Sequence, residues 1–374
     1  MTHVRHLFSW LKELKDLRER LLPPGFHLSP VHHQLKEKEA MSEAVKPLTV
    51  PKEFLGAPRD VNPTLIMFLV AVATAALSTL GYFRWGLPGW SCFVANTLAL
   101  HLVGTVIHDA SHNVAHEHRI MNAALGHGSA LMLGFSFPVF TRVHMQHHAN
   151  VNDPENDPDH FVSTGGPLWL IAARFFYHEI FFFKRRLWRK YELLEWFLGR
   201  LAVASVVYLA VQYDFLGYLF NYWFSPALVV GLALGLFFDY LPHRPFKERD
   251  RWKNARVYPS PVLNLLIMGQ NYHLIHHLWP SIPWYKYQAA YRATRPLLDA
   301  KGCEQSLGLL NGKNFWSFLY DIFLGIRFHH KPAAAAPLEI STEDLLGVES
   351  EVVESGVEPA MAGLEAEAGR SDSR

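Results

Sequence analysis

The sequence predicts an all-α membrane protein: four transmembrane helices arranged as two hairpins, with a helical cap on the cytosolic side. Three observations carry that prediction. Half of the 374 residues are hydrophobic, and many fall in long apolar runs. Lysine and arginine gather in alternate connections between those runs. Histidine occurs 22 times, and three compact clusters of it sit near the ends of apolar runs.

Crossing a bilayer as a helix takes about 20 apolar residues. Residues 63–83 meet this, with no charge before Arg84. A second run, 90–107, stops at the polar block that opens with His108. The third, 197–211, carries Arg200, and the fourth, 224–238, stops at Asp239 and Pro242. Residues 123–140 are long enough to span but contain His127 and Pro138. A crossing there would put the histidines on its two sides on opposite faces of the bilayer, so this run is expected to be buried or re-entrant. Residues 168–183 hold Arg174, His178 and Glu179, which fits an interfacial helix.

Loop charge sets the orientation. Segments 184–190 (KRRLWRK) and 244–256 (RPFKERDRWKNAR) are basic, whereas the turn at Arg84 has one basic residue and 213–226 has none. The positive-inside rule puts the basic segments, and with them both termini, in the cytosol. Residues 1–60 read as a polar N-terminal cytosolic region without the apolar core of a signal peptide. Residues 61–330 form the membrane-embedded domain. Residues 331–374 are acidic and aromatic-free, a composition expected to stay disordered. The two cysteines, Cys92 and Cys303, exclude a disulfide framework. A net charge of +1 and the lack of a base-reading signature give no reason to expect a nucleic-acid partner.

The clusters are HDASH (His108, His112), HMQHH (His144, His147, His148) and HLIHH (His273, His276, His277). Positions three and four apart share one face of a helix, so each HxxHH is expected to present three imidazoles to one point. One HxxxH alone is often a surface or core feature. Three clusters at the ends of apolar runs are not. A single zinc takes three or four protein ligands, so eight histidines imply a di-metal site held by the cap. Imidazole suits Fe, Cu, Ni and Zn alike. A metal transporter would carry polar residues through the bilayer along a path, whereas here they sit at helix ends on one side.

HDASH, HMQHH and HLIHH, in this order, resemble the three histidine boxes of the membrane fatty-acid desaturase and hydroxylase superfamily. In that superfamily another histidine upstream of the last box also binds metal, and His243 in FDYLPHRP matches it. HDASHNVAH, FPVFTRVHMQHHANVNDPENDPDHF and YLPHRPF look most like the cyanobacterial-type β-carotene hydroxylases, and the related carotenoid ketolases share YLPHRP. The resemblance covers residues 60 to 330. It implies two iron ions on the nine histidines, O₂ as co-substrate, and an external electron donor of ferredoxin type. It implies a carotenoid substrate, hydroxylated at ring carbon 3 of the β-ionone ring, in a thylakoid or plasma membrane. Ketolation and acyl-lipid desaturation use the same boxes and remain alternatives. The basic segments fit either ferredoxin docking or topology alone.

Anions that orient ligand N–H groups are expected around such a centre. Asp109 follows the first box histidine, Asp239 lies four residues before His243, and NDPENDPD supplies Asp153, Glu155, Asp157 and Asp159. That run also reads as a solvated turn. His116 lies one helical turn after His112 if the helix continues. The run FFYHEIFFF fits a channel lining or a lipid-facing stripe, and WPSIPWYKY (279–287) fits an interfacial aromatic anchor.

Overall fold

The computed structural model describes residues 49–309 and 312–326. Every regular element among them is helical. Helix α1 (Pro63–Trp85) starts where the Asn62 side chain accepts from the backbone N–H groups of Thr64 and Leu65, and it stops at Gly86, whose φ is 66°. Helix α2 (Gly89–Ser111) follows after three residues. Each has 23 residues, about 34 Å at 1.5 Å per residue, which exceeds the roughly 30 Å hydrocarbon core.

Helix α1 turns its small residues inward. The buried positions of α1 are Thr64, Ala71, Ser78 and Gly81, while Leu69, Val70, Leu77 and Leu80 are exposed. Lipid leaves no hydrophobic drive between helices, so close backbone approach through small side chains does the packing. Ala71 meets Ala99, Leu100 and Val103 of α2 in one buried cluster.

Helices α3 (Arg119–Leu133) and α4 (Phe137–Ala149) are bent by 99° relative to one another. Gly134, at φ 75°, ends α3, and Pro138 opens α4. Gly126 lies against the Phe137 ring, and a Cβ there would come within 2.3 Å of it. The run 123–140 is therefore no straight span.

Helix α5 (Pro158–Thr164) is capped by the Asp157 side chain. The stretch 168–183, expected as one interfacial helix, is broken and packed inward. A turn at Leu168–Leu170 and another at Ile171–Arg174 precede α6 (Phe176–Lys184), and Ile171, His178, Phe181 and Phe182 are buried. Its polar groups tolerate this because each finds a partner. Arg174 donates to the carbonyls of Val162 and Pro167, and Glu179 pairs with Arg200.

Helix α7 (Lys190–Gln212) buries only Glu192 and Ala210. Leu193 and Trp196 pack it on the cluster of Val139, Val143, Phe181 and Phe182, and polar ties add to this. Glu192 pairs with Arg142 of α4, and Arg200 Nη1 donates to Gly134 O at 2.8 Å. Helix α8 (Leu216–His243) contains two π-helical segments, Phe220–Phe224 and Gly235–Tyr240. Among the described residues, four helices, α1, α2, α7 and α8, are long and apolar enough to cross a membrane.

Helices α9 (Pro261–Leu266), α10 (His273–Leu278), α11 (Tyr287–Ala300) and α12 (Gly312–Phe323) complete the described residues. The second core gathers Val50, Tyr272, Leu274, Ile275, Ile282 and Tyr287. Packing thus begins eleven residues ahead of the expected boundary at 61. The run 279–287 joins this core instead of forming an interfacial anchor, because Trp279, Ile282 and Tyr287 all turn toward α10. Residues 1–48 and the acidic tail 331–374 lie outside the described residues.

Candidate metal centre

Four elements bring the nine candidate histidines together. His108 stands in the last turn of α2 and His112 caps it. His144, His147 and His148 come from α4, His243 from the end of α8, and His273, His276 and His277 from α10. They form two groups, His108–His112–His144–His276 and His147–His243–His273–His277. Within each, one nitrogen per residue lies within 4.8 Å of every other. His148 lies between the groups: its Nε2 is 2.8 Å from His276 Nε2, and its ring is 4.4 Å from that of His277.

The expectation that each HxxHH serves one point is corrected here. His144 joins one group and His147 the other, and His276 parts from His273 and His277. Residues three apart share a face but differ in height by about 4.5 Å, so one box reaches two centres.

The nitrogen chemistry fits a cation. His147 Nδ1 donates to Asp157 Oδ1 at 2.9 Å, His243 Nδ1 to Asn254 O at 2.9 Å, and His273 Nδ1 to Gln270 Oε1 at 3.0 Å. A neutral imidazole has one N–H, so the Nε2 atoms of His243 and His273 each carry a lone pair. Yet His243 and His273 oppose Nε2 to Nε2 at 3.1 Å, and His147 and His277 do so at 3.3 Å. In the first pair neither atom can donate. A metal turns that repulsion into coordination: ligands about 2.0–2.1 Å from an ion and at right angles stand about 2.9 Å apart. The Nε2–Nε2 separation of His112 and His144 is 2.9 Å, and that of His108 and His276 is 3.0 Å. Burial, then the neighbouring imidazoles, holds His273, His276 and His277 well below the ordinary histidine pKa. They are neutral, the form that ligates.

Around the imidazoles the carboxylates separate by role. Asp157 orients His147, as above. Asp239 lies in the π-helical turn of α8, beside the cavity lined by His108, His144 and His147, and its Oδ2 has no hydrogen-bond partner among the described residues. Asp109 points away from the histidines, since neighbours on a helix diverge by about 100°; it accepts from Thr64 Oγ1 at 2.8 Å and from Trp284 N at 3.4 Å. Asp153 closes its own turn through Glu155 N and Asn156 N and pairs with Arg249. His116 stays outside both groups because α2 stops at Ser111, and its Nδ1 accepts from His118 N at 2.9 Å. His101 bonds the carbonyl of Leu266.

Sequence reasoning included Asp159 among the anions after the second box, but missed Tyr287, Gln270 and the Asn254 carbonyl as partners of the histidines. Asp159 lies 3.5 Å from His147 Nδ1 and 2.7 Å from His178 Nε2. Burial pushes its carboxyl up, but His147 and His178 outweigh that and hold it below the usual range. Tyr287 Oη is 2.9 Å from His276 Nδ1. Gln270 stands three residues before His273, so it was legible as a polar neighbour of a box. The Asn254 carbonyl had no side-chain signal at all.

Beside the histidines lies a cavity of 80 Å³ walled by Gly104, Ile107, Phe135, Phe175, Leu234 and Phe238. Its polar lining comes from His108, His144, His147, His273, His178, Asp159 and Asp239, so the cavity joins the histidines to an apolar wall.

Residues 83–306 match the family model described as Fatty acid desaturase. The chain belongs to the fatty acid desaturase family. This desaturase-family chain is 32% identical over 205 residues to a β-carotene ketolase of Paracoccus sp. (strain N81106 / MBIC 01143), covering 52% of the chain and 76% of the relative. It is 30% identical over 189 residues to the β-carotene ketolase of Paracoccus sp. (strain PC1), covering 48% and 70%. An sn-1 oleoyl-lipid 12-desaturase of Anabaena variabilis is 24% identical over 264 residues, covering 59% and 74%. With its spans and histidine groups, the chain is a membrane-bound, metal-binding oxidoreductase of that family.

Proposed function

We propose that the chain hydroxylates the β-ionone rings of β-carotene at ring carbon 3, giving cryptoxanthin and then zeaxanthin. The observation that carries oxygenase chemistry is the pair of four-imidazole groups beside a cavity with an apolar wall. The substrate rests on HDASHNVAH, on the extended box around HMQHH, and on YLPHRPF, which resemble the carotene hydroxylases. Each turnover consumes one O₂, two protons and two electrons and releases water with the alcohol.

Two irons would sit on the two groups, with His148 between them, and when bound they supply the O₂ activation that breaks the C–H bond. The chain's own residues prepare this. Asp157, Gln270 and the Asn254 carbonyl fix the tautomers of His147, His273 and His243, and Tyr287 meets His276. Phe238, Ile107 and Phe135 give the substrate side its apolar wall. The electrons come from a ferredoxin-type carrier on the cytosolic face. Lys184, Arg185, Arg186, Arg189 and Lys247 are exposed there to meet an acidic partner. We place both termini on that face, in a thylakoid or plasma membrane.

Ketolation is the second reading, favoured by the two relatives named β-carotene ketolase. Pigment analysis after expression in a host that accumulates β-carotene separates the two. Cryptoxanthin and zeaxanthin support hydroxylation, ring ketones support the second reading, and new lipid double bonds with unchanged carotene refute both.

A further inference from the structure

Eight of the nine candidate histidines come two or three to an element, so one backbone places several at once. His243 stands alone, in the last position of α8. Pro242 precedes it and Pro245 follows two residues later, and neither has an N–H with which to extend the helix. After His243 the chain leaves the helix, with Arg244 at φ −57° and ψ 130°. The direction of this imidazole therefore depends on what grips the turn.

Two sides grip it. Segment 254–256 holds one: Asn254 O accepts from His243 Nδ1 at 2.9 Å, and Arg256 Nη2 donates to the Arg244 carbonyl. Helix α12 holds the other. Ser317 and Asp321 are four residues apart and share one face of that helix, and both meet Arg244. Arg244 Nη2 donates to Ser317 Oγ at 2.6 Å. Its Nε–H is shared between Tyr240 Oη at 2.8 Å and Asp321 Oδ2 at 3.1 Å. The Tyr240 hydroxyl donates in turn to Asp321 Oδ2. Tyr240 and Asp321 are both fully buried.

Helix α12 cannot simply follow the turn if it shifts. Ile326, just past its end, packs with Leu168, Ile171, Tyr240, Leu241 and Phe246. Gly325 lies so close to Gly166 that a Cβ there would come within 2.5 Å of the Gly166 carbonyl carbon. Burying an ion pair is costly, and apolar side chains of similar volume would pack α12 in place as well. A forked guanidinium contact adds direction, which apolar packing does not.

We infer that Asp321, with Ser317 and Tyr240, is a positioning residue for the metal centre: from α12 it holds Arg244 so that the neighbouring His243 faces His273, His147 and His277. This rests on the two-metal reading above. The effect is confined to one histidine group. None of the hydrogen bonds described for Arg244, Ser317, Asp321 and Tyr240 reaches His108, His112, His144 or His276. Loosening the turn thus withdraws one ligand from the second group and none from the first.

The test counts iron per chain in the purified full-length protein across a graded chelator series, for the native chain, Asp321→Asn and Tyr240→Phe. Asp321→Asn keeps the shape and gives up the charge. One of its two ions is expected to leave at about tenfold to hundredfold lower chelator than in the native chain, giving a plateau at one ion per chain where the native chain still holds both. Tyr240→Phe keeps the ion pair and loses one hydroxyl, so the same plateau is expected with a smaller shift; this variant decides the matter if Asp321→Asn fails to fold. Release of both ions together at lower chelator marks a general loosening of the fold and overturns the inference. Release from both variants at the native concentrations overturns it too, with the metal reading intact. A native chain that holds no pair of ions overturns the metal reading, and the inference with it.

Discussion

Asp157→Asn tests how the second histidine group is held. Asp157 Oδ1 accepts from His147 Nδ1 and from Asp159 N, each at 2.9 Å, and Oδ2 accepts from Asn152 N at 2.8 Å. The side chain is 1% exposed. Asparagine fills the same space but has one oxygen and an amide that only donates. In one orientation its N–H₂ faces the Asn152 N–H, leaving a buried donor unmet at about 1–3 kcal/mol. In the other it faces His147 Nδ1 and drives the imidazole proton onto Nε2, removing the lone pair that ligates. Loss of the carboxylate also roughly halves the strength of the remaining charge-assisted bond. Orienting partners of this kind change metal affinity by about 10–100-fold, which is about 1.4–2.8 kcal/mol. The assay is iron retained per chain against a graded chelator series, with Asp153→Asn beside it. Asp153 bonds only its own turn and Arg249 among the contacts described for it, so its variant should hold iron like the native protein. Equal retention by Asp157→Asn and the native chain, or equal loss in both variants, would refute the reasoning.

Three further outcomes follow from the same geometry. Tyr287→Phe removes the hydroxyl at His276 Nδ1 and should lower iron retention by up to about tenfold; an unchanged chelator curve would show that His276 needs no such partner. Glu179→Gln leaves Arg200, on the lipid-facing helix α7, without its charge partner. Both side chains are partly exposed, so thermal unfolding in detergent should reveal a loss of about 1–3 kcal/mol, between exposed-pair and buried-pair values. Gly126→Ala drives a methyl into the Phe137 ring and should cost about 1–3 kcal/mol by overpacking, read as a lower melting temperature; an unshifted melt would mean the α3–α4 corner has slack.

What the sequence makes legible follows the physics of each element. Spans appear because lipid demands an uninterrupted apolar run, and the run at 63–83 differs from α1 only by Arg84 and Trp85 at its end. The third span begins at Lys190, well ahead of the apolar run at 197. Glu192 and Arg200 are tolerated in α7 through partners, Arg142 and Glu179, distant in sequence. The same blindness hides the inward packing of 168–183. The box spacing announces the centre, but the splitting of each HxxHH box between two groups depends on the 99° corner before α4 and on the direction from which α10 approaches. Of the carboxylates, Asp157 and Asp153 look alike in NDPENDPD. Only the fold of that loop turns one to His147 and the other to Arg249.

The central claim is that two clusters of lone pairs face each other because two metal ions belong between them. Elemental analysis of the purified native chain, with Mössbauer spectroscopy on an iron-57 preparation, tests it most directly. The account predicts two iron ions per chain, one for each four-histidine group, lost together from a His147→Ala, His108→Ala double variant. A single ion per chain, or zinc in both places, would contradict it.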